Sequence, residues 1–332
     1  MTYKKIIRPL LFKIEPEQVH HLLVNGLKCY RHLSPIRSEI RKKYHTYKPF
    51  SYKNIVFPNR IGLAAGFDKD AAVFDELADF GFGFIEIGTV TPHPFEGNAK
   101  PRIFRLIDDE SLISRTGFNN PGLDVVLERI KAIPKRSYIL GANINKDATS
   151  TTSEQIVADF SLLFESFYPF VDYFTLNWGS IDAADFEAVL DKLSNQKKTK
   201  PENRCLFIKL PADIPEAALD TVIALAQRYH VDGFIATGPT MDRSNLSTAA
   251  KTEADNIGAG GVSGKGIGAK SVNVVRYIKA KTQGKFLIIG AGGIMTTQDA
   301  KSMLQAGADL LQVYSTFIYN GPNAILDLNK SI

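Results

Sequence analysis

The spacing of apolar and polar positions changes near residue 59. Before it, apolar residues recur at helical spacing in two stretches, a short one at 6–14 and a longer one at 16–30. After it, short apolar runs are each followed by about ten to fifteen residues with helical spacing, which is typical of repeated βα units. The sequence therefore predicts two N-terminal amphipathic helices followed by a βα repeat.

Eight apolar runs follow one another, as a closed βα barrel requires. They lie at 61–65, 84–89, 138–144, 173–177, 205–210, 233–237, 286–290 and 310–314. Continuous apolar runs are typical of strands buried on both faces of a parallel sheet. We therefore predict an α/β fold, a (β/α)8 TIM barrel with a small N-terminal helical extension. A doubly wound open sheet is the alternative, but no GxGxxG spacing follows the first run.

Composition agrees with a single barrel unit. The chain has 332 residues, 44% hydrophobic and 23% charged, which is enough to bury a large core without a second large domain. Its two cysteines, Cys29 and Cys205, match neither a disulfide framework nor a thiolate metal site, which favours a reducing compartment. His20 and His21 are adjacent, so on a helix they point in different directions, and we expect no metal.

Positive charge is concentrated at the N-terminus. Residues 1–50 hold eleven Lys or Arg and three acidic residues, a net charge of +8, whereas the whole chain carries +5. A basic segment on a near-neutral body suggests a polyanionic partner, either membrane headgroups or nucleic acid. The helices lack a base-reading motif, so we expect no nucleic acid. Amphipathic basic helices can lie in a membrane interface, although the pattern alone favours simple packing on the barrel.

Six polar residues stand at or just beyond the C-terminal ends of the predicted strands. They are Lys69, Thr89, Asn143, Asn177, Lys209 and Thr237. These ends carry the active site in βα barrels, so the six should face one site, although singly each could be a turn former or a surface lysine. Lys209 ends an apolar run, so its ammonium should be partly desolvated and need an anionic partner, either a reduced flavin or a structural carboxylate.

Glycine-rich segments predict a phosphate site. Residues 290–294 (GAGGI) follow the seventh predicted strand, and Tyr314 and Ser315 follow the eighth, which is the usual phosphate position in such barrels. A second segment, 260–264, lies before the next helix and could close on the same ligand. Tight turns also use glycine, so the alternative is a purely structural role.

Six segments match one family in order and spacing. They are 59–69 (NRIGLAAGFDK), 81–92 (GFGFIEIGTVTP), 100–106 (KPRIFRL), 117–120 (GFNN), 290–294 (GAGGI) and 317–322 (FIYNGP). On these the chain resembles the quinone-linked (class 2) dihydroorotate dehydrogenases along nearly its whole length. The resemblance implies oxidation of dihydroorotate to orotate in pyrimidine biosynthesis, with FMN as cofactor and a membrane quinone as electron acceptor. It also implies a membrane-associated hood at 1–50 and an FMN-binding barrel at 51–332, in a cytoplasmic protein peripheral on the inner face of the cell membrane.

The resemblance also implies roles for individual residues. FMN contacts fall on Ala64, Ala65, Gly66, Lys69, Thr89, Asn143, Asn177, Lys209, Thr237, Gly264, Gly292, Gly293, Tyr314 and Ser315. Ser180 is implied as the catalytic base, which takes a proton from dihydroorotate while hydride passes to flavin N5. The implied substrate contacts are Lys69, Asn119 and Asn177, and the implied quinone-tunnel residues are His20 and Arg102.

The chain departs from the family in two loops. The family's loop after the fourth strand reads N-x-S-S-P-N-T-P-G-L-R, whereas here WGSID follows Asn177 and a helix is expected from Ala183, so the loop is shorter. After the sixth strand, residues 238–240 read GPT where the family has Asn-Thr-Thr. The loss of two hydrogen-bonding side chains could lower substrate affinity by about 10² to 10⁴.

Two further residues of the short loop bear on whether dihydroorotate can bind. Asp182 would repel a substrate carboxylate if it faced the site. Trp178 should either fill the substrate space or pack at the barrel rim. Two alternative functions therefore stay open, a divergent FMN oxidoreductase of other substrate specificity and a non-catalytic flavin-binding relative.

Overall fold

Eight parallel strands close into a barrel in the computed structural model, which describes residues 3–332. In chain order the strands are β1 (Phe50–Tyr52), β2 (Ile55–Phe57), β3 (Ile61–Leu63), β4 (Phe84–Val90), β5 (Ile103–Leu106), β6 (Ser111–Ser114), β7 (Ile139–Ile144), β8 (Tyr173–Asn177), β9 (Cys205–Leu210), β10 (Gly233–Ala236), β11 (Gly261–Gly264), β12 (Leu287–Ala291) and β13 (Leu310–Val313). The barrel order is β3-β4-β7-β8-β9-β10-β12-β13, and β13 pairs back onto β3. Each predicted run overlaps one barrel strand, so the TIM barrel is confirmed and the open sheet is wrong.

Helices alternate with the barrel strands and also precede them. They are α1 (Arg8–Leu11), α2 (Pro16–Tyr30), α3 (Ser34–Tyr44), α4 (Phe74–Ala78), α5 (Leu123–Lys131), α6 (Ser153–Phe167), α7 (Ala183–Lys198), α8 (Glu216–Arg228), α9 (Thr248–Ile257), α10 (Gly268–Thr282), α11 (Thr297–Gln305), α12 (Ser315–Asn320) and α13 (Pro322–Ser331). A π-helical turn at Tyr3–Ile7 leads into α1. Both predicted N-terminal helices are present, whereas α3 was not predicted. None of the helices in residues 3–332 is long and apolar enough to cross a membrane.

The N-terminal end of the barrel is filled by aromatic side chains. The β1–β2 hairpin lies across this end, and Phe57 of the hairpin packs edge-on against Phe84 at 5.3 Å between ring centroids. Tyr173 and Phe207 complete the layer, and all four side chains are fully buried. A packed interior at this end leaves the C-terminal ends of the strands to form a site.

A three-stranded antiparallel sheet stands beside the barrel mouth. Strand β6 pairs with β5 on one side and with β11 on the other. Segment 260–264, predicted as a closing loop, thus largely forms strand β11. Residues from all three strands, among them Arg105, Ser114 and Ser263, line the same cavity as the barrel mouth. The sheet is therefore a wall of the site.

Ion pairs fix α3 to the barrel. Arg37 donates to Asp75 Oδ2 and Asp79 Oδ2, both at 2.7 Å, and Arg41 also binds the Asp79 carboxylate. Arg31, just beyond α2, donates to Glu76 Oε1 at 2.6 Å. The acidic partners belong to α4 and its C-terminal cap, so the N-terminal helices are held against the first helix of the barrel.

Arg37→Met keeps the apolar stem and removes the guanidinium, so the buried Asp79 carboxylate loses one of its two arginine partners and keeps Arg41. The Asp79 side chain is 2% exposed, and hydrogen bonds to charged groups contribute about 1.5–3 kcal/mol, so we expect a loss of about 2 kcal/mol in the free energy of unfolding. Urea denaturation followed by circular dichroism measures it.

The matched control is Lys42→Met on the same helix. Lys42 pairs with Glu39 at 2.7 Å, but the two side chains are 70% and 72% exposed, so the loss should stay below about 0.5 kcal/mol. Equal losses in the two variants would show that the buried pairs do not hold α3 in place.

Candidate active site

A single cavity of about 1170 Å³ opens at the C-terminal ends of the barrel strands. It runs from the barrel mouth to the apolar faces of α1 and α2. All fourteen residues expected at the cofactor line it, namely Ala64, Ala65, Gly66, Lys69, Thr89, Asn143, Asn177, Lys209, Thr237, Gly264, Gly292, Gly293, Tyr314 and Ser315. The parallel barrel thus brings together residues that lie 250 positions apart in the chain, from Ala65 to Ser315.

Lys209 supplies a cation that the protein leaves without a carboxylate partner. It lies on β9 and lines the cavity, and no salt bridge ties its ammonium to an acidic residue within residues 3–332. Lys209 therefore does not form, within residues 3–332, the structural ion pair considered from the sequence. A partly desolvated ammonium in this setting suits an anionic ligand.

Each glycine-rich segment approaches the start of a helix beside the cavity. Ser263 Oγ of β11 lies 3.4 Å from Ser315 Oγ, at the start of α12. Gly293 has a φ of +75°, and a Cβ there would collide with the backbone of Gly268 at the start of α10. Glycine is thus required for the loop after β12 to approach α10 so closely. The juxtaposed loops are arranged as the sequence predicts for a phosphate group.

An amide and hydroxyl network covers the floor of the cavity. Asn143 Oδ1 accepts hydrogen bonds from Thr89 Oγ1 at 2.7 Å and from Asn177 Nδ2 at 2.8 Å. Beneath it, Asn143 Nδ2 donates to the buried carboxylate of Glu86. Glu86 and its other amide partner, Gln312, were not predicted from the sequence, although each is the only charged or amide residue of its strand.

Lys69 forms the opposite wall with the loop after β6. Its ammonium donates to Thr116 Oγ1 at 2.8 Å, to Asn119 Oδ1 at 2.6 Å and to the carbonyl of Gly117 at 3.3 Å. Burial, and secondarily the positive charge of Arg102, lowers the pKa of Lys69 to about 8. Lys69 and Asn119 were expected as substrate contacts from the sequence, whereas Thr116 was not.

Polar side chains of the short loop after β8 form hydrogen bonds with other groups of the protein. Ser180 Oγ donates to the carbonyl of Asn177 at 2.8 Å and lines the cavity. Trp178 also lines the cavity, and its ring packs edge-on against Phe186 of α7 at 5.0 Å. The carboxylate of Asp182 accepts from the backbone of α7 as its N-cap and is not among the lining residues. Asp182 therefore does not face the site, so the condition for repelling a substrate carboxylate is not met.

The loop after β10 presents little hydrogen-bonding capacity to the cavity. Gly238 and Pro239 line it, and neither has a polar side chain. Thr240 turns its hydroxyl to the carboxylate of Asp213 instead. This side of the site offers no replacement for the family's asparagine.

His20 and Arg102 differ in their relation to the cavity. His20 lines it and packs edge-on against Phe67 at 5.6 Å between ring centroids, and burial lowers the pKa of the imidazole to about 4. Arg102 is buried behind the lining. Its guanidinium donates to Glu17 through Nε and Nη2 and to the carbonyls of Glu96 and Asn98 through Nη1, so most of its N–H groups already have acceptors in the protein.

The fold and this cavity define a TIM-barrel enzyme whose site lies where the C-terminal ends of the strands meet. The family model described as dihydroorotate dehydrogenase matches residues 50–332. A relative from Christiangramia forsetii, named dihydroorotate dehydrogenase (quinone), is 37% identical over 99% of this chain and 98% of its own length. A second, from Idiomarina loihiensis and of the same name, is 38% identical over 96% of this chain and 97% of its own.

A solved structure gives the same result at the level of the fold. The crystal structure of DHODH from Eimeria tenella in complex with ferulenol superimposes with a TM-score of 0.80 at 27% identity, covering 95% of this chain and 90% of that one. The chain belongs to the dihydroorotate dehydrogenase family. The resemblance to the quinone-linked members is confirmed, because the curated relatives carry that name.

Proposed function

We propose that the protein oxidises dihydroorotate to orotate in pyrimidine biosynthesis, with FMN as its cofactor and a membrane quinone as electron acceptor. Members of its family that share about the same length are named for this reaction. The observation that carries the proposal is the continuity of the cavity. It joins the residues expected at the cofactor, the Lys69 wall and the helices α1 and α2 in one space.

The described residues fit a flavin mononucleotide. Lys209, which has no acidic partner, can hold the anionic edge of the ring, and the loops around Gly293 and Ser315 can hold the phosphate. Burial raises the pKa of Tyr314 to about 12, so its hydroxyl stays neutral beside the site. When bound, FMN supplies the hydride acceptor. We assign it the fourteen cavity residues named above.

The substrate end lies between Lys69 and the loop after β8. Oxidation of dihydroorotate releases one proton and one hydride. Lys69 and Asn119 would bind the substrate's anionic group, with Asn177 next to both ligands. The hydroxyl hydrogen of Ser180 points at the carbonyl of Asn177, which leaves lone pairs of Oγ free to face the substrate. As Oγ accepts the substrate's proton, it would release its own hydroxyl proton to water that enters the open cavity.

The quinone end lies under the N-terminal helices. His20, Phe67 and Tyr314 form an edge-to-face series with centroid distances of 5.6 and 5.5 Å, which links α2 to the cofactor site. A neutral His20 can donate a hydrogen bond to an uncharged quinone carbonyl. Arg102 would act through Glu17. Burial alone would raise the pKa of Glu17, but the hydrogen bonds and positive charges of Arg102 and Lys100 together lower it.

The curated relatives favour dihydroorotate over a different substrate. The loops after β8 and β10 contribute little to holding it, because Gly179, Gly238 and Pro239 offer no side-chain hydrogen bond. The titration below tests whether dihydroorotate is oxidised.

Anaerobic titration of the FMN-loaded protein with dihydroorotate should bleach the visible absorbance of the flavin. Ser180→Ala should reduce the rate of bleaching by about 10² or more, because a positioned base contributes about 10²–10⁴, while dithionite should bleach both proteins alike. Stopped-flow absorbance measures the rates.

Asp182→Ala is the matched control in the same loop. It removes the cap of α7, at a cost of about 1 kcal/mol in stability, without touching the cavity, so its bleaching rate should stay near that of the wild type. A flavin that dithionite bleaches and dihydroorotate does not would contradict the dehydrogenase proposal and favour another substrate.

Orotate affinity should fall as pH rises through the pKa of Lys69, about 8. The protonated ammonium present below this pH attracts the orotate anion, and each unit above it should weaken binding about tenfold by proton linkage. Flavin absorbance changes on orotate binding, measured between pH 6 and 9, give the dissociation constant. Lys69→Met should bind weakly with a flat profile, and a flat wild-type profile would remove Lys69 as the anion anchor.

We also propose that residues 1–50 form a hood that binds the membrane peripherally, on the inner face of the cell membrane, with residues 51–332 as the FMN-binding barrel. The support is a set of exposed apolar side chains on the N-terminal helices beside basic residues. They are Ile6, Ile7, Leu10, Ile14, Leu22, Leu23, Leu33 and Ile36, each at least 36% exposed. Apolar side chains next to Lys and Arg are the features that an anionic membrane interface binds.

The double substitution Leu10→Glu with Leu22→Glu should weaken binding to phosphatidylglycerol vesicles at least about tenfold, since each buried leucine contributes about 1.5–3 kcal/mol. Both side chains are more than half exposed. Val56→Glu, at a 51% exposed position on the hairpin at the other end of the barrel, is the control and should bind like the wild type. Equal effects from both, or no binding by the wild type, would contradict the hood as a membrane surface. Vesicle co-sedimentation measures this.

A further inference from the structure

A carboxylate lies fully buried inside the barrel, below the cavity floor. Glu86 of β4 has no exposed surface, and none of the cations in residues 3–332 forms a salt bridge with it. Four neutral donors from three other strands surround it instead. They are Asn143 Nδ2 at 3.2 Å to Oε1, and Tyr173 OH at 3.2 Å, Thr175 Oγ1 at 3.1 Å and Gln312 Nε2 at 2.9 Å to Oε2.

This carboxylate fixes the orientation of the amides around it. The hydrogen bonds to Glu86 all run from its neighbours to its oxygens, so Asn143 and Gln312 both turn their N–H groups toward it. The Oε1 atom of Gln312 is then buried without a partner among the described residues.

The orientation of Asn143 sets what its neighbours present to the cavity. With Oδ1 facing upward, Asn143 accepts from both Thr89 and Asn177. Its Nδ2 also donates to Asn177 Oδ1 at 3.3 Å, so the two amides pair with each other. A reversed Asn143 amide would require Thr89 Oγ1 to accept and the Asn177 amide to turn over as well. This would free the Thr89 hydroxyl hydrogen and exchange the donor and the acceptor that Asn177 presents. One buried carboxylate therefore decides the donor and acceptor pattern at three lining residues.

We propose that Glu86 is a positioning residue for the cofactor. It holds Asn143 in one orientation and thereby fixes the hydrogen-bonding pattern that Thr89, Asn143 and Asn177 offer to the flavin ring, which carries carbonyl acceptors and an imide N–H donor on one edge. Glu86 does not line the cavity, so it acts through Asn143 and not by contact. This inference rests on the proposed FMN site.

The test compares FMN affinity with protein stability. Glu86→Gln places an N–H against a set of donors and should raise the dissociation constant of FMN from the apoprotein at least about tenfold, equivalent to about 1.4 kcal/mol. Thr175→Val removes one donor from the same carboxylate without involving an amide, and its dissociation constant should stay within about threefold of the wild type. Quenching of FMN fluorescence gives the constants, and thermal unfolding of the apoproteins gives stability.

A compensating substitution separates positioning from a purely structural role. In the double variant Glu86→Gln with Asn143→Asp, the new amide at 86 can donate to a carboxylate at 143, whose other oxygen still accepts from Thr89 and Asn177. The double variant should bind FMN more tightly than either single variant. If one single variant is too unstable to measure, the comparison with the other still tests the recovery. Loss of stability with unchanged FMN affinity in Glu86→Gln, or no recovery in the double variant, would overturn the inference. A wild-type protein that binds no FMN would instead overturn the proposed function.

Discussion

Closure of eight parallel strands is the constraint on which the rest of the structure depends. Because all the strands run in one direction, their C-terminal ends meet on the same side, and the residues that follow them are brought together regardless of their separation in sequence. The opposite end is filled by Phe57, Phe84, Tyr173 and Phe207. Polar side chains that the core cannot accept are thus concentrated at the mouth, where the cavity forms.

The barrel mouth alone does not enclose the cavity. Helix α2 covers one side, and the sheet of β5, β6 and β11 covers another. The helices are held in place in part by charge pairs with α4, because several of their apolar residues are exposed or line the cavity. The N-terminal segment is thus attached to the barrel by charge as well as by packing, and part of its apolar surface stays exposed.

Sequence patterns predicted the parts of the fold that depend on local periodicity. The eight barrel strands were found because burial on both faces gives continuous apolar runs. Helix α3 was missed because its inward face carries Arg37 and Arg41, whose acidic partners lie about forty residues away and leave no local signal. Strands β5, β6 and β11 are four residues each, too short for a pattern to be distinguished from a loop.

In the candidate site, too, residues placed by a local pattern differ from residues placed by distant partners. Residues at strand ends were placed correctly in the cavity because topology alone puts them there. Asp182 and Arg102 were harder to place, since a charged side chain goes to whichever partner satisfies it. The Asp182 carboxylate accepts a hydrogen bond from the backbone of α7, and the Arg102 guanidinium donates to Glu17. Glu86 belongs to this group too, because its role follows from four donors on other strands that no local pattern contains.

The two walls of the substrate end differ in what they can contribute to binding. Gly238 and Pro239 offer shape without hydrogen bonds, so an anionic substrate must be held from the side of Lys69. The Lys69 ammonium already has three acceptors, and a substrate carboxylate can bind it only by displacing one of them. Asn119 is the partner best able to yield, because rotation of its amide withdraws Oδ1 from the ammonium and turns Nδ2 toward the incoming carboxylate. The net affinity is then the difference between two charge-assisted hydrogen bonds, so discrimination among substrates depends on how well each one replaces the amide oxygen of Asn119.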